Sequence, residues 1–245
     1  MTRPVRLGIL TPSSNTVLEP LTAAMAAGLP GVSVHFSRFP VTEIALTPGA
    51  LAQFDEDAVL QAAGLLADAK VDAVAWSGTS SSWLGFDRDV ALCRAIHAAT
   101  GIPATSSILA LNEALGRLGV RRLALVTPYT ANVQARIAAN FAGIGIHCTA
   151  GRYLGLQDNF SFAEVTTAQL DRLIREAAHD GADAVAIVCT NLRAAPLVQP
   201  LEAALGVPVL DSVATALWGA LRLAGADPAR ITRWGGLFQV GGARG

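Results

Sequence analysis

The chain has 245 residues, of which 52% are hydrophobic and only 15% charged, against about 25% charged in an ordinary globular domain. A mean hydropathy of +0.43 demands extensive burial and excludes a disordered chain, while Asp, Arg, Gly or Pro interrupts every apolar stretch before the roughly 20 residues of a membrane span. A net charge of −1 with 18 scattered Lys and Arg leaves no basic stripe for phosphates, which argues against nucleic acid.

The opening MTRPVRLGILTPSSN carries no apolar run followed by a small-residue cleavage site, so no signal peptide is expected. Within it VRLGILTP (5–12) reads as a strand, as does VSVHFSRF (32–39). Residues Phe54 to Ala69 place apolar groups at helical spacing, and VDAVAWSG (71–78) is strand-like again. Further on come RRLALVTP (121–128), a helical pattern over Ala168 to Ala178, then DAVAIVCT (183–190) and VPVLDSV (207–213). Most of these strands are apolar on both faces, which predicts parallel sheets covered by helices. The alternation of strand and helix predicts an α/β fold.

The chain also repeats itself. VRLGILTPS at Val5 resembles RRLALVTPY at Arg121, 116 residues later; DAVAWSGTS at Asp72 shares five of nine positions with DAVAIVCTN at Asp183, 111 later; GIPATSSI at Gly101 returns as GVPVLDSV at Gly206, 105 later. Repeats of this length are duplicated domains. Two pseudo-symmetric α/β halves are therefore expected, at 1–115 and 116–224, with the C-terminal segment 212–245 able to return to the first. Open α/β sheets bind ligands beyond the carboxyl ends of their strands. Both TP motifs and both DAVA motifs end there, so the site is expected in the cleft between the halves.

Cys189 follows an apolar strand and precedes Thr190 and Asn191, which places a thiol for proton transfer or nucleophilic attack, or else as core filling. Cys93 and Cys148 read as core. Three cysteines without CxxC spacing form neither a disulfide framework nor a zinc site, and a reducing cytoplasm is expected. Gly78 is the counterpart of Cys189, and the hydroxyls of Thr79 to Ser82 follow it, suited to an oxyanion or to a helix cap. Ser13, Ser14, Asn15, Tyr129 and Thr130 would add a polar wall. Arg193 is either a carboxylate ligand or an exposed helix residue. The four histidines are too dispersed for a metal site, and HExxH, GxGxxG after a strand and GxxxxGK[ST] are missing.

PSSNTVLEP (12–20), GTSSSWLG (78–85), TPY (127–129), GLQDNFSFAEV (155–165) and CTNLRA (189–194) resemble the aspartate/glutamate racemase superfamily, in its branch of arylmalonate decarboxylases and maleate cis-trans isomerases. The resemblance spans essentially the whole chain. It implies two racemase-like halves, a small dicarboxylate substrate, no cofactor, no metal, and neither nucleic acid nor membrane as partner; a homo-oligomer is compatible with it. Racemases and maleate isomerases of this group keep two cysteines, whereas Gly78 in place of the first marks the decarboxylases, whose lone cysteine protonates an enediolate. Thr79, Ser80 and Tyr129 match carboxylate-binding positions of that family. Asn15 and Asn159 match amides of the isomerases, and CTN is likewise closer to them; Thr190 joins this set.

The expectation is therefore a decarboxylase of α-substituted malonates with Cys189 as proton donor. A maleate isomerase or Asp/Glu-type racemase is the first alternative, a non-catalytic carboxylate-binding protein the second. Gly78→Cys is expected to set a second thiol opposite Cys189 and so to add racemisation.

Overall fold

A computed structural model describes residues 3–53 and 56–241 of the chain; Phe54, the predicted start of the first long helix, lies outside them. The first half runs β1 (Val5–Pro12), α1 (Leu18–Ala26), β2 (Val32–Phe39), α2 (Pro48–Ala52), α3 (Glu56–Asp68), β3 (Ala73–Trp76), α4 (Ser81–Leu84), α5 (Phe86–Thr100), β4 (Ala104–Ser106) and α6 (Ser107–Leu118). The second runs β5 (Arg122–Thr127), α7 (Ala131–Gly143), β6 (His147–Tyr153), α8 (Thr167–Ala178), β7 (Ala184–Ile187), α9 (Val198–Leu205), β8 (Val209–Asp211) and α10 (Ser212–Leu223). Helix α6 thus spans residue 115, and the chain crosses between halves after Leu118.

Both halves build the same parallel sheet, in the orders β2-β1-β3-β4 and β6-β5-β7-β8. The likeness extends to single hydrogen bonds. Asp72 and Asp183 each accept from the backbone N of an arginine, Arg6 at 2.7 Å and Arg122 at 2.8 Å. At the other end, Ser77 N donates to Leu10 O at 3.1 Å and Val188 N to Val126 O at 3.0 Å. The duplication read from the sequence is therefore structural.

The central strands β3 (AVAW) and β7 (AVAI) are buried along their whole length, because helices cover both faces of each sheet. Helix α8 turns Leu170, Leu173, Ile174 and Ala177 inward, the spacing of a single buried stripe, and Thr166 caps it by accepting from Gln169 N at 3.2 Å. The sheets differ in what closes them. Helix α10 leaves β8 and packs on β3, β4 and α6 of the first half, where a Cβ on Gly219 would lie 2.8 Å from Ala110 Cβ. Only glycine lets α10 approach α6 so closely. Among the described residues no helix is long and apolar enough to cross a membrane.

Two carboxyls are buried behind the strand ends. Asp89 on α5 accepts from Ser81 Oγ at 2.7 Å and from the Ser106 hydroxyl, which ties α4 to β4. Burial pushes it up to about 6 against those two hydrogen bonds. Asp211 caps α10, its Oδ1 accepting from Val213 N at 2.9 Å and Ala214 N at 3.0 Å, while Oδ2 has no partner among the described residues. Burial raises it to about 7.

A carboxyl whose folded pKa is raised adds stability below its unfolded value, 3.8 here, and loses that contribution as pH climbs through the folded value. Each unit is worth about 1.4 kcal/mol. The melting temperature should therefore fall as pH rises from 5 to 8, and fall less steeply in Asp89→Asn and Asp211→Asn. The slope is the readout, since a constant cost of either substitution leaves it unchanged. Equal slopes in all three proteins would show that these carboxyls do not titrate in that range.

Candidate active site

In each sheet the strand order reverses at the central pair, β1/β3 and β5/β7. At such a switch point the loops leave in opposite directions and open a crevice beyond the strand ends. The two crevices face one another. Between them lies a small cavity lined by Gly78, Thr79, Ser80, Tyr129, Asn159, Cys189 and Thr190 on its polar side and by Pro12, Val41, Ile44, Trp76 and Trp83 on its apolar side.

Of the residues singled out in the sequence these seven thus meet in one cavity, whereas Ser13, Ser14, Ser81, Ser82, Thr130 and Asn15 do not line it. Asn15 lies nearby. Its side chain is buried behind Thr190: Oδ1 accepts from Val17 N and Leu18 N at 2.9 Å, and Nδ2 donates to Thr190 Oγ1 at 3.2 Å. Thr190 Oγ1 in turn donates to Ser77 O at 3.1 Å. Across the cleft, the Thr79 and Tyr129 hydroxyls are hydrogen-bonded at 2.7 Å. Asn159 Nδ2 donates to Ser14 Oγ at 2.7 Å, and its carbonyl accepts from Asn191 Nδ2 at 2.6 Å. Arg193 instead donates from Nε to Ala163 O at 3.2 Å, away from the cavity lining.

Cys189 sits two residues beyond β7 and is 2% exposed. Its sulfur accepts from Asn191 N at 3.3 Å. Burial pushes the thiol up to about 12, with the nearby Asp211 adding to the rise; the Asn191, Leu192 and Tyr129 donors oppose it. Tyr129 is itself held well above its ordinary value by burial. The cavity lining is therefore neutral at pH 7, and its one thiol carries its proton. Among the described residues no group of three His, Cys, Asp or Glu could hold a metal ion.

The residue missed by the sequence reading is Trp76. It lies two positions before Gly78, so both residues project to the same side of the chain. The indole fills the space beside Gly78: a Cβ there would lie 2.0 Å from Trp76 Cζ2. The ring also rests against Phe39, with centroids 4.9 Å apart. The expected placement of a cysteine at 78 opposite Cys189 therefore needs correction, because that space belongs to Trp76 and the ring must move first. The signal was present in the sequence, since the matching position of the second half is the smaller Ile187.

The family model for Amdase, arylmalonate decarboxylase, matches residues 23–238. Arylmalonate decarboxylase of Bordetella bronchiseptica is 38% identical over 170 residues, covering 68% of this chain and 70% of that one. Maleate isomerase of Geobacillus stearothermophilus is 25% identical over 233 residues, covering 91% and 92%. A crystal structure of arylmalonate decarboxylase superposes with a TM-score of 0.78 at 29% identity, over 96% of this chain and 99% of the other. The maleate isomerase Iso from Pseudomonas putida S16 shares the fold, with a TM-score of 0.87 at 24% identity over 98% and 99%.

Thiol chemistry gives a direct check on this electrostatics. Because only the thiolate alkylates, labelling of Cys189 by iodoacetamide should be slow at pH 8 and rise about tenfold per pH unit without levelling below pH 10. Tyr129→Phe removes a donor that favours the thiolate, so labelling should be slower still at every pH. Mass-spectrometric labelling rates decide it; a plateau below pH 8 would contradict a protonated resting thiol.

Proposed function

The chain belongs to the arylmalonate decarboxylase family, and from that premise we propose that it is a cofactor-independent decarboxylase of α-substituted malonates with Cys189 as proton donor. The observation that carries this reading is the single protonated thiol in a cavity whose second catalytic position is a glycine covered by an indole. Proton transfer at one carbon through two opposed groups requires an acid and a base. Here one acid is present, and none of the described residues that line the cavity is a base of suitable pKa.

In the proposed reaction the substrate keeps one carboxylate among the Thr79, Ser80, Tyr129, Asn159 and Thr190 groups. The other lies toward Val41, Ile44, Trp76 and Trp83, where loss of hydration without compensating donors disfavours its charge. The bond between the α-carbon and that carboxylate breaks, CO₂ leaves, and the electron pair passes into an enediolate. Neutral hydroxyls and amides strengthen their hydrogen bonds as that charge builds on oxygen. The Cys189 thiol then gives its proton to the α-carbon, and the thiolate recovers one from solvent. Asn15, behind the wall, positions Thr190.

A second reading, maleate isomerisation by a nucleophilic Cys189, is favoured by the backbone donors of Asn191 and Leu192 directed at the sulfur, which would support a thiolate. The two readings differ in product, so CO₂ release from substituted malonates and fumarate formation from maleate should be assayed side by side. Decarboxylation is expected; fumarate without CO₂ would reverse the assignment. A protein that binds malonates and turns over neither substrate would be a carboxylate-binding protein instead.

Cys189→Ala should abolish decarboxylation, by a factor on the order of 10²–10⁴ or more, while the circular dichroism spectrum and melting curve stay close to those of the parent. Cys93→Ala and Cys148→Ala should remain active. Thr79→Ala should lose on the order of 10²-fold in kcat, typical of one oxyanion donor. Full activity in Cys189→Ala would remove the thiol from the mechanism.

A further inference from the structure

Trp76 has a second neighbour besides the catalytic cavity. It also lines a second pocket, with Phe39, Val59, Leu84 and Leu92 as apolar lining and the buried Asp89 and the exposed Arg88 and Glu56 as polar lining. Among the described residues only Trp76 and Ser80 line both spaces. Ser80 is a small residue at the start of α4, whereas the indole is large, 2% exposed and braced by Phe39. The ring is thus the bulk of the partition.

We propose that Trp76 sets the substrate range of this site: its indole shuts the second pocket off from Cys189 and confines the enzyme to malonates with small alkyl or alkenyl α-substituents. The proposal rests on the decarboxylase reading for its substrate class, although the partition itself is a matter of geometry. It has two consequences with one cause. First, the volume that a bulky α-substituent would need beyond Gly78 is filled by the ring, and the further space able to take such a group, apolar along Phe39, Val59, Leu84 and Leu92, lies behind it. Second, residue 78 must stay glycine for as long as residue 76 is tryptophan. A Cβ at 78 would meet three indole atoms, Cζ2, Cε2 and Cη2, at 2.0, 2.3 and 2.5 Å, distances that no rearrangement of a few tenths of an ångström relieves. The pair 76/78 is therefore one unit: a large ring with a glycine, or a small side chain with freedom at 78.

The two consequences are measured separately. For substrate range, methylmalonate and phenylmalonate decarboxylation are compared in the parent, Trp76→Phe and Trp76→Leu. The kcat/KM ratio of phenyl to methyl substrate should lie below one in the parent and rise tenfold or more in Trp76→Leu, with Trp76→Phe intermediate. If none of the proteins decarboxylates anything, calorimetric binding of propionate and phenylacetate, the product-like acids, gives the same comparison without turnover. The decarboxylase reading then fails alone, and the partition stands if phenylacetate affinity rises in Trp76→Leu. A parent that takes phenylmalonate as well as methylmalonate, or a ratio that stays constant in both turnover and binding, overturns the proposal.

For the coupling, melting temperatures are taken of Gly78→Ala alone and on the Trp76→Leu background. Gly78→Ala should lower the parent's melting temperature by several degrees and leave that of Trp76→Leu nearly unchanged. Equal losses on the two backgrounds would show that the ring and residue 78 do not share the space. Should Trp76→Leu fail to fold, Trp76→Phe carries the same cycle, since the smaller ring lacks the indole atoms that crowd position 78.

Discussion

The hydroxyl of Thr190 holds the two halves together at the point where chemistry is proposed. It donates to the Ser77 carbonyl and accepts from the Asn15 amide, so one atom from the second half is fixed by two groups of the first. All three partners are buried. In such surroundings a hydrogen bond is worth keeping chiefly because an unmet polar group costs about 1–3 kcal/mol. Ser77 and Thr190 each neighbour a key position, Gly78 and Cys189. The bond therefore fixes the distance between the face that carries the thiol and the face that carries the indole. The Thr79–Tyr129 hydrogen bond does the same a few residues away. A cleft between two domains would ordinarily be free to open; this one is laced shut by short side chains with little entropy to lose.

The electrostatic design follows from that closure. The cavity walls hold hydroxyls, amides, backbone donors and apolar rings, while the ionisable carboxylates of the region, Asp89 and Asp211, stand behind the loops rather than in the cavity lining. Asp89 fixes the loop after β3 through Ser81, and Asp211 fixes the start of α10. Their burial leaves them easily protonated, and once Asp211 ionises its charge helps keep the Cys189 proton in place. A neutral cavity binds an anion less strongly than one with arginine. It also avoids neutralising the carboxylate whose loss drives the proposed reaction, so weaker ground-state binding accompanies better differential stabilisation of the enediolate.

Gly78 has two physical explanations that coexist. For the proposed reaction it leaves the cavity with one thiol, Cys189. In packing terms it is the only residue that fits beneath the Trp76 indole. The second explanation is independent of any reaction. Once a large ring occupies that space, a return to a side chain at 78 requires two substitutions, and the first of them exposes a second pocket.

The architecture was legible in the sequence to an unusual degree because it is written twice. Val5–Pro12 and Val32–Phe39 were bounded correctly from pattern alone, and three repeated segments implied the paired sheets, since both copies must bury the same apolar strands. Cys189 and the hydroxyl-rich loop after Gly78 could be placed together because strand ends in such sheets share one edge. That the segment from 212 could return to the first half was legible; the close approach of α10 to α6 at Gly219, the retreat of Asn15 behind Thr190, and the indole beside Gly78 were not. Each depends on which side chain fills a given volume, and that is decided by contacts between residues far apart in the chain: Gly219 with Ala110, Asn15 with Thr190, and Trp76 with Phe39 from the strand on the far side of β1.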